Sequence, residues 1–207
     1  MFITLEGIDR SGKSTQAALL AGALDEALLL REPGGTDMGE RARAILKDPD
    51  LELDPVAELL LFCAARAELC ARVIAPALAG GSDVVCDRFI DSTAAYQGAG
   101  RALGIELVEG LNAIAIGDCT PDLTILLRVD PDEAERRGQL RLAGGEEDGA
   151  DRFEVEGIDL QRRVAQAYEE LASRHRDRIV VIDAAGEVPA VHERIADAVR
   201  ERRGAVK

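Results

Sequence analysis

One short segment constrains the fold of this chain more than any other. Residues 7–14 read GIDRSGKS and match the pattern G-x-x-x-x-G-K-[ST], with Thr15 following. The segment comes directly after the apolar run FITLE and leads into QAALL, which is typical of a helix start. In that setting the glycines let backbone N–H groups turn inward around phosphate oxygens, and the helix N-terminus adds partial positive charge. The sequence therefore predicts a phosphate-binding loop between a strand and a helix.

This loop assigns expected roles to its own residues. We expect the phosphates of ATP to be bound by Gly7, Ile8, Asp9, Arg10, Ser11, Gly12, Lys13, Ser14 and Thr15. Lys13 should bridge the β- and γ-phosphates, and the hydroxyl of Ser14 should ligate Mg²⁺. Asp9 is unusual, because a generic phosphate loop needs no carboxylate at that position. We interpret Asp9 as a pointer toward a sugar hydroxyl.

Strand-like and helical segments alternate along the whole chain. The five predicted strands are FITLE (2–6), ALLLRE (27–32), DVVCD (83–87), DLTILLRVD (122–130) and RIVVIDA (178–184). Four of them are nearly continuous in apolar residues, which indicates strands buried on both faces of a parallel sheet. The clearest helix covers residues 55–78, with Asp54 as its cap and Pro55 in the first helical position. The pattern predicts one α/β domain over residues 1–207, a three-layer P-loop NTPase fold with a five-stranded parallel sheet, helices on both faces and a mobile lid.

Composition narrows the possible partners and the compartment. The formal net charge is −14, so the surface should repel nucleic acid and anionic membranes alike, and we expect neither as a partner. An anionic substrate must then be held by a local cationic pocket. No signal peptide is visible, and no apolar run is long enough to span a membrane, so the expected location is the cytoplasm. The four cysteines form no CxxC pair and should be buried free thiols.

A phosphate loop alone does not define the reaction, because GTPase switches, motor ATPases and small-molecule kinases share it. A GTPase switch needs a guanine-reading NKxD element, but Asn112 is the only asparagine in the chain and Ala113 follows it. The tetrapeptide DAAG at 183–186 fits the switch pattern DxxG, but it lies on the last predicted strand, too late in the chain. A GTPase-type switch is therefore disfavoured.

Further segments lie at the expected carboxyl ends of strands, where open α/β sheets bind ligands. They are REPGGT (31–36), DRF (87–89) and AYQGAGR (95–101), with LFCAAR (61–66) on the long helix. Together with EGIDRSGKSTQ (6–16), they closely resemble the thymidylate kinase family over nearly the whole chain. The resemblance implies the reaction ATP + dTMP → ADP + dTDP with Mg²⁺ as cofactor, carried out by a homodimer. Another P-loop (deoxy)nucleotide or deoxynucleoside kinase remains the alternative.

The resemblance also implies how the thymidine part of dTMP is bound. Phe62 would stack on the thymine ring, and Arg66 would donate a hydrogen bond to a base carbonyl. Thr93 and Gln97 would read the edge of the base, while Tyr96 would press against the deoxyribose. The residues alone leave another interpretation open for the first pair, a Phe62 at the rim of the core and an Arg66 on the surface. Leu61 and Leu69 put apolar residues on more than one face of their helix, which is compatible with a homodimer.

The phosphate and metal contacts follow from the same resemblance. Arg31 and Arg88 would hold phosphate groups, and Asp87 would support Mg²⁺. Asp9 would bind the 3′-hydroxyl and help to place the metal. A cis peptide bond before Pro33 would shape the turn that presents Arg31 to the substrate.

Catalysis is expected to rest on positioning and charge neutralisation by Asp9, Arg10, Lys13 and Arg88. Residues 138–152 correspond to the lid of the family, and Arg137 and Arg141 at the lid would bind ATP. Family members tend to carry an arginine either in the phosphate loop or in the lid, whereas this chain has both. We expect Arg10 to supply the main transition-state charge, because the loop fixes it, and the lid arginines to clamp ATP. The family usually has tyrosine where this chain has Phe89, so a hydroxyl contact is missing there.

Overall fold

The computed structural model describes residues 1–143, 152–155 and 157–205. Five strands are formed, β1 Phe2–Glu6, β2 Leu28–Arg31, β3 Val84–Asp87, β4 Leu123–Arg128 and β5 Ile179–Asp183. The helices are α1 Lys13–Ala23, α2 Asp37–Lys47, α3 Pro55–Leu69, α4 Ala75–Ala79, α5 Ile90–Thr93, α6 Ile105–Ile116, α7 Pro131–Ala143, α8 Arg152–Val155, α9 Ile158–Arg174 and α10 Val188–Ala205. Two π-helical segments, Cys70–Ile74 and Ala94–Gly100, continue α3 and α5.

The five strands form one parallel sheet in the order β2-β3-β1-β4-β5. The central strand β1 has β2 and β3 on one side and β4 and β5 on the other, so the winding direction reverses beside it. In register across the sheet, Arg31 lies opposite Asp87, and Asp87 lies opposite Leu5. The ends of three strands therefore meet at one carboxyl edge, which is where open α/β sheets bind ligands.

Helices cover the sheet on both faces, as the strand and helix pattern predicts. On one face α1 and α10 contribute Leu20 and Ile195 to a buried cluster with β1 and β4. On the other face α3, α6 and α9 contribute Leu59, Val108 and Leu171. These aliphatic side chains form most of the core. The predicted fold class is confirmed.

The edge strand β2 departs from the expectation of burial on both faces. Its residues 28–31 are nearly all apolar, yet the side chain of Leu29 is 46% exposed while that of Leu30 is buried. A strand at the edge has a neighbour on one side only, so fewer side chains cover it. Continuous apolar character therefore did not distinguish this edge strand from the buried central ones.

The long predicted helix is present and continues beyond its expected end. Asp54 Oδ1 accepts a hydrogen bond from the backbone N–H of Val56 at 2.8 Å, which confirms the predicted cap. After Leu69 the helix passes through the π-helical segment 70–74 into α4 without leaving the helical conformation. Leu69 is fully buried in the core of its own chain, so it does not offer an apolar surface to a second copy.

The four cysteines are free thiols and all are buried, as expected. Within the described ranges, none of the helices combines the length and the apolar character that crossing a bilayer requires.

Glu6 ends β1 as a fully buried carboxylate that organises the neighbouring end of β3. Its Oε1 accepts the backbone N–H of Phe89 at 2.8 Å, and its Oε2 accepts the hydroxyls of Ser92 at 2.5 Å and Tyr168 at 3.1 Å. The Ser92 hydroxyl in turn accepts from Nη1 of Arg88 at 3.1 Å. Glu6 thus fixes the chain on the far side of Arg88 and, through Ser92, one nitrogen of its guanidinium.

The buried position of Glu6 makes the stability of the fold depend on pH. Burial raises the pKa of Glu6, and the charge of nearby Asp91 raises it further, to about 7. Between the ordinary pKa of a glutamate and about 7, the folded chain holds a proton that the unfolded chain has released. The contribution of Glu6 to the free energy of unfolding must therefore fall as the pH rises through that window.

We predict that Glu6→Gln removes this pH dependence. The free energy of unfolding is measured with urea between pH 5 and pH 8. As the pH rises through this range, it should fall more steeply in the wild type than in the variant, by up to about 1.4 kcal/mol per pH unit. Glu187→Gln makes the same chemical change at an exposed position of the chain and serves as the control. Equal pH slopes for the wild type and Glu6→Gln would contradict the assignment.

Candidate active site

A cleft of about 640 Å³ opens at the carboxyl edge of the sheet. The loop after β1 lines one side of it, and the ends of β2 and β3 line its floor. Helix α3 and the π-helical segment 94–100 close the other side. The predicted site residues that line this cleft are Asp9, Arg10, Gly12, Lys13, Ser14, Thr15, Arg31, Pro33, Phe62, Arg66, Asp87, Arg88, Thr93, Tyr96 and Gln97. One cavity therefore brings together segments that are far apart in the sequence.

The phosphate loop has the backbone geometry that its glycines allow. Gly7 has a φ of 142°, and a Cβ there would lie 2.6 Å from the carbonyl oxygen of Leu127. Gly12, which directly precedes α1, has a φ of 94°. Arg10 has a φ of 62°, although a non-glycine residue rarely adopts this conformation and pays an energetic cost for it. Such strain at a loop that lines a cleft is typical of functional sites.

Lys13 is held inside the loop that precedes it. Its side chain is 5% exposed, and Nζ donates to the carbonyl oxygen of Ile8 at 2.6 Å and to the Ser11 hydroxyl at 3.3 Å. Burial lowers the pKa of Lys13 to about 8, and the nearby positive charge of Arg88 acts in the same direction. A phosphate in the cleft would give this buried ammonium a further negative partner besides Asp9 and Asp87.

Ser14 and Asp87 form a pair of oxygen ligands suited to a hard cation. The Ser14 hydroxyl donates to Asp87 Oδ2 at 2.5 Å, and Asp87 Oδ1 is buried without a hydrogen-bond partner among the described residues. An unsatisfied buried carboxylate oxygen is costly unless a ligand completes it. No cluster of three or more His, Cys, Asp or Glu in the described ranges could hold a metal by itself. The Ser14 hydroxyl and the Asp87 carboxylate fit Mg²⁺, which often binds one or two protein oxygens together with waters and substrate phosphates.

Asp9 and Arg88 join the phosphate loop to the end of β3. Arg88 Nη2 donates to Asp9 Oδ1, and Asp9 Oδ2 accepts from Gln161 Nε2 at 2.7 Å. Burial acts to raise the pKa of Asp9, but the charges of Arg88 and Lys13 outweigh it and hold that pKa below its usual value. Asp9 is therefore an anion that keeps one guanidinium in place beside the cleft.

Arg66 is a buried ion-pair partner. The alternative interpretation of Arg66 as a surface residue is therefore wrong. Its side chain is 1% exposed, and Nε and Nη2 both donate to Glu32 Oε2, at 2.8 and 2.5 Å. Nη2 also donates to the Thr93 hydroxyl at 2.8 Å, and Nη1 donates to Asn112 Oδ1 at 2.6 Å. Since removing one partner of a buried pair costs about 3–5 kcal/mol, truncating Arg66 would also destabilise the fold.

Gln97 is oriented by Glu58, a buried carboxylate that no sequence pattern singles out. Its Nε2 donates to Glu58 Oε1 at 2.7 Å, and a carboxylate can only accept, so the amide carbonyl must face away from Glu58. Glu58 is fully buried and also accepts from Arg101 and, at 2.5 Å, from Arg152. The orientation of the predicted base-reading side chain is thus fixed by Glu58.

Aromatic rings surround the same end of the cleft. The ring of Phe62 lies 6.0 Å from that of Phe153, which also meets Tyr96 edge-on at 6.1 Å. The Tyr96 hydroxyl lies 3.5 Å from Arg88 Nη2 and 3.4 Å from Gln161 Oε1. These flat surfaces are suited to a planar ring held between them.

Phe89 stands where the family usually has tyrosine, and it belongs to the core. It is fully buried and packs edge-to-face against Phe2, with ring centroids 4.9 Å apart. A hydroxyl there would need a buried partner.

The turn after β2 adopts the expected backbone geometry. The Glu32–Pro33 peptide bond is cis, which confirms that prediction. Arg43 Nη1 donates to the carbonyl oxygen of Pro33 at 3.0 Å and ties the turn to α2. The Arg31 side chain is 59% exposed, with Glu40 Oε2 at 3.7 Å, so it can turn toward a ligand in the cleft.

Some predicted site residues do not line this cleft. Gly7 and Ile8 line a second cavity of about 530 Å³ beside β4, and Ser11 faces Lys13. Arg137 donates to Glu133 and to the carbonyl oxygen of Ala184. Of Arg141 only the helical backbone is described, and most of the predicted lid at 138–152 lies outside the described residues.

Residues that the sequence did not single out complete the site. They are Glu6, Glu32, Glu58, Phe153 and Gln161. Gln161 lies 152 positions from its partner Asp9, and Glu58 lies 94 positions from Arg152. The only signal in the sequence was a carboxylate in an otherwise apolar segment, as at Glu6 and Glu58, and it indicates a buried polar contact only once the partner is known.

Comparison with known proteins agrees with this geometry. The family model described as thymidylate kinase matches residues 5–195. The thymidylate kinase of Prosthecochloris aestuarii is 44% identical over 214 residues, covering 100% of this chain and 96% of that protein. That of Gloeobacter violaceus is 45% identical over 203 residues, covering 96% and 94%. The crystal structure of thymidylate kinase from Ehrlichia chaffeensis superposes with a TM-score of 0.78 at 34% identity, covering 97% of this chain and 98% of that one. The chain belongs to the thymidylate kinase family.

Proposed function

We propose that this enzyme transfers the γ-phosphoryl group of ATP to dTMP and releases ADP and dTDP. The observation that carries the proposal is the shared cleft, which is lined by the phosphate loop on one side and by Phe62, Arg66, Tyr96 and Gln97 on the other. A donor phosphate and a planar base can therefore occupy one cavity at the same time. Binding both nucleotides in line supplies most of the catalysis that phosphoryl transfer needs from a protein.

The base end of the cleft fits thymine through complementary hydrogen bonds. Nη1 of Arg66 has two hydrogens, of which Asn112 takes one, so the other is available to a base carbonyl. The Gln97 carbonyl faces away from Glu58 and can accept from the N3–H of thymine. The Arg66-bound hydroxyl of Thr93 lies beside them, and Phe62 offers its ring for stacking. Cytosine presents an acceptor in place of the N3–H, so the same arrangement selects against dCMP.

The sugar and phosphates would be placed by charged groups nearer the sheet. Asp9 and Gln161 bind the 3′-hydroxyl, and Tyr96 packs against the deoxyribose. Arg88 and Arg31 hold the dTMP phosphate, with Arg88 already fixed on Asp9. Lys13 exchanges the Ile8 carbonyl for the β- and γ-phosphates of ATP.

Mg²⁺ would be held by Ser14 and Asp87, with Asp9 supporting it from the phosphate loop. When bound, it neutralises charge on the β- and γ-phosphates. The buried, unpartnered Asp87 Oδ1 is the observation that supports this site.

Asn112, the only candidate for a guanine-reading asparagine, is used for structure. It is buried, accepts from Arg66 and donates to the carbonyl oxygen of Ile90. This arrangement weighs further against a GTPase.

We also infer a homodimer, acting in the cytoplasm without a nucleic-acid or membrane partner. Val56 and Leu60 on α3 are about half exposed, and Leu107 and Ile114 on the neighbouring α6 are 54% and 81% exposed. These apolar side chains suit a second copy better than Leu61 or Leu69. The net charge of −14 supports the absence of polyanionic partners.

A substrate panel tests the proposed reaction. With ATP as donor, we expect the highest kcat/KM for dTMP among dTMP, dUMP, dCMP, GMP and thymidine, with one ADP formed per dTDP. Lys13→Ala is the control and should stay folded without transferring phosphate, because the lysine contact strengthens as charge moves onto ADP. A preference for GMP or thymidine, or ADP formed without dTDP, would refute the proposal.

The division of work between the arginines is tested at saturating nucleotides. Arg10→Gly should lower kcat by about 10³-fold or more, since an arginine acting on the transferring group contributes about 10³–10⁵. Glycine also accepts the positive φ of this position. Arg141→Ala should mainly raise the KM for ATP. A larger loss of kcat in Arg141→Ala would reverse the assignment.

A further inference from the structure

Arg10 is in close contact with the backbone of helix α7 at one glycine. A methyl group on Gly138 would lie 2.4 Å from Arg10 Nε, 2.5 Å from Cζ and 2.6 Å from Cδ. Real contacts of a Cβ essentially never fall below 3.0 Å. The guanidinium of Arg10 therefore occupies the space that any side chain at position 138 would need.

A glycine in this position is not explained by the helix itself. Glycine inside a helix is destabilising relative to alanine. Gly138 lies well within α7, which ends at Ala143. By contrast, a Cβ added to Gly22 in α1 or to Gly110 in α6 would meet nothing within 4 Å.

The arginines that precede Gly138 on α7 are directed elsewhere. Arg136 and Arg137 both donate to Glu133, and Arg137 also donates to the carbonyl oxygen of Ala184. Glu133 thus binds both guanidiniums about one turn before Gly138. Its negative charge lowers the repulsion between these two arginines and Arg10. The bare backbone at Gly138 is then the surface that receives the Arg10 guanidinium.

We propose that Gly138 is a positioning residue for Arg10, and that its missing side chain sets where the guanidinium lies at the edge of the cleft. The proposal rests on the proposed function, in which Arg10 acts on the transferring phosphoryl group. The backbone of Arg10 is fixed at a φ of 62°, so the contact with Gly138 constrains the remaining freedom, which lies in the side chain. The phosphate loop, through the backbone of Arg10, and helix α7, through Gly138, together determine where the Arg10 guanidinium lies.

Displacing Arg10 should cost the fold little, which makes the idea testable. The three atoms that a methyl group would meet lie near the end of a flexible side chain and not in the backbone. Gly138→Ala should therefore fold and should gain helix propensity, while the guanidinium moves aside. Because a misplacement of about 1 Å can cost about 10²-fold in rate, we expect kcat to fall by about 10–100-fold with the KM for dTMP little changed.

The matched control is Gly22→Ala, which makes the same change in a helix with open space around it. It should leave kcat within about twofold of the wild type, and circular dichroism and thermal unfolding should report all variants as folded. A kcat for Gly138→Ala within twofold of the wild type would overturn the proposal, whatever Arg10→Gly does.

A double-mutant cycle separates positioning from a hinge function of Gly138. In the Arg10→Gly background, Gly138→Ala should cause no further loss of kcat, because the displaced group is absent. If Gly138→Ala still slows the enzyme there, its effect does not act through Arg10 and the proposal is wrong. If Arg10→Gly alone retains near-wild-type kcat, it is the role of Arg10 in the proposed function that fails, and any loss in Gly138→Ala then has another cause.

Discussion

The ion pair between Arg88 and Asp9 is the interaction around which the site is arranged. It crosses from the end of β3 to the phosphate loop after β1, the point where the winding of the sheet reverses. Arg88 has a φ of 68°, and its backbone is held on both sides, by its own N–H on the Leu5 carbonyl and by the Phe89 N–H on Glu6. The sheet therefore sets the direction of one guanidinium, which links the donor half of the cleft to the acceptor half.

The same device recurs in and beside the cleft, where buried carboxylates hold three other arginines. Glu32 holds Arg66, and Glu58 holds Arg101 and Arg152. A chain with a net charge of −14 has to concentrate positive charge where an anion binds. Fixed carboxylates accomplish this by orienting guanidiniums before the substrate arrives, so that little reorganisation remains during the reaction. Buried pairs of this kind gain little stability from their own attraction, which is consistent with a role in positioning.

Contiguous motifs could be predicted from the sequence, and tertiary partners could not. The phosphate loop, the five strands and the cap at Asp54 depend on neighbours within a few residues, so their patterns are visible in the chain. The resemblance added the cis bond before Pro33 and the site residues. The burial of Arg66 could not be predicted, because a charged side chain is expected at the surface unless buried partners are known, and Glu32 and Asn112 come from other elements. The contact of Gly138 with Arg10 has no signal in the sequence, since only the folded chain brings Arg10 across it.

The central claim is that Arg88, held by Asp9, is already placed for the phosphate of dTMP. The most direct test is a crystal structure of the enzyme with dTMP and ADP–aluminium fluoride, a mimic of the transferring group. We expect Arg88 to lie within about 3.2 Å of both the Asp9 carboxylate and the dTMP phosphate, with the end of β3 unchanged. A structure in which Arg88 has left Asp9, or in which other side chains hold the dTMP phosphate beyond the reach of Arg88, would contradict it.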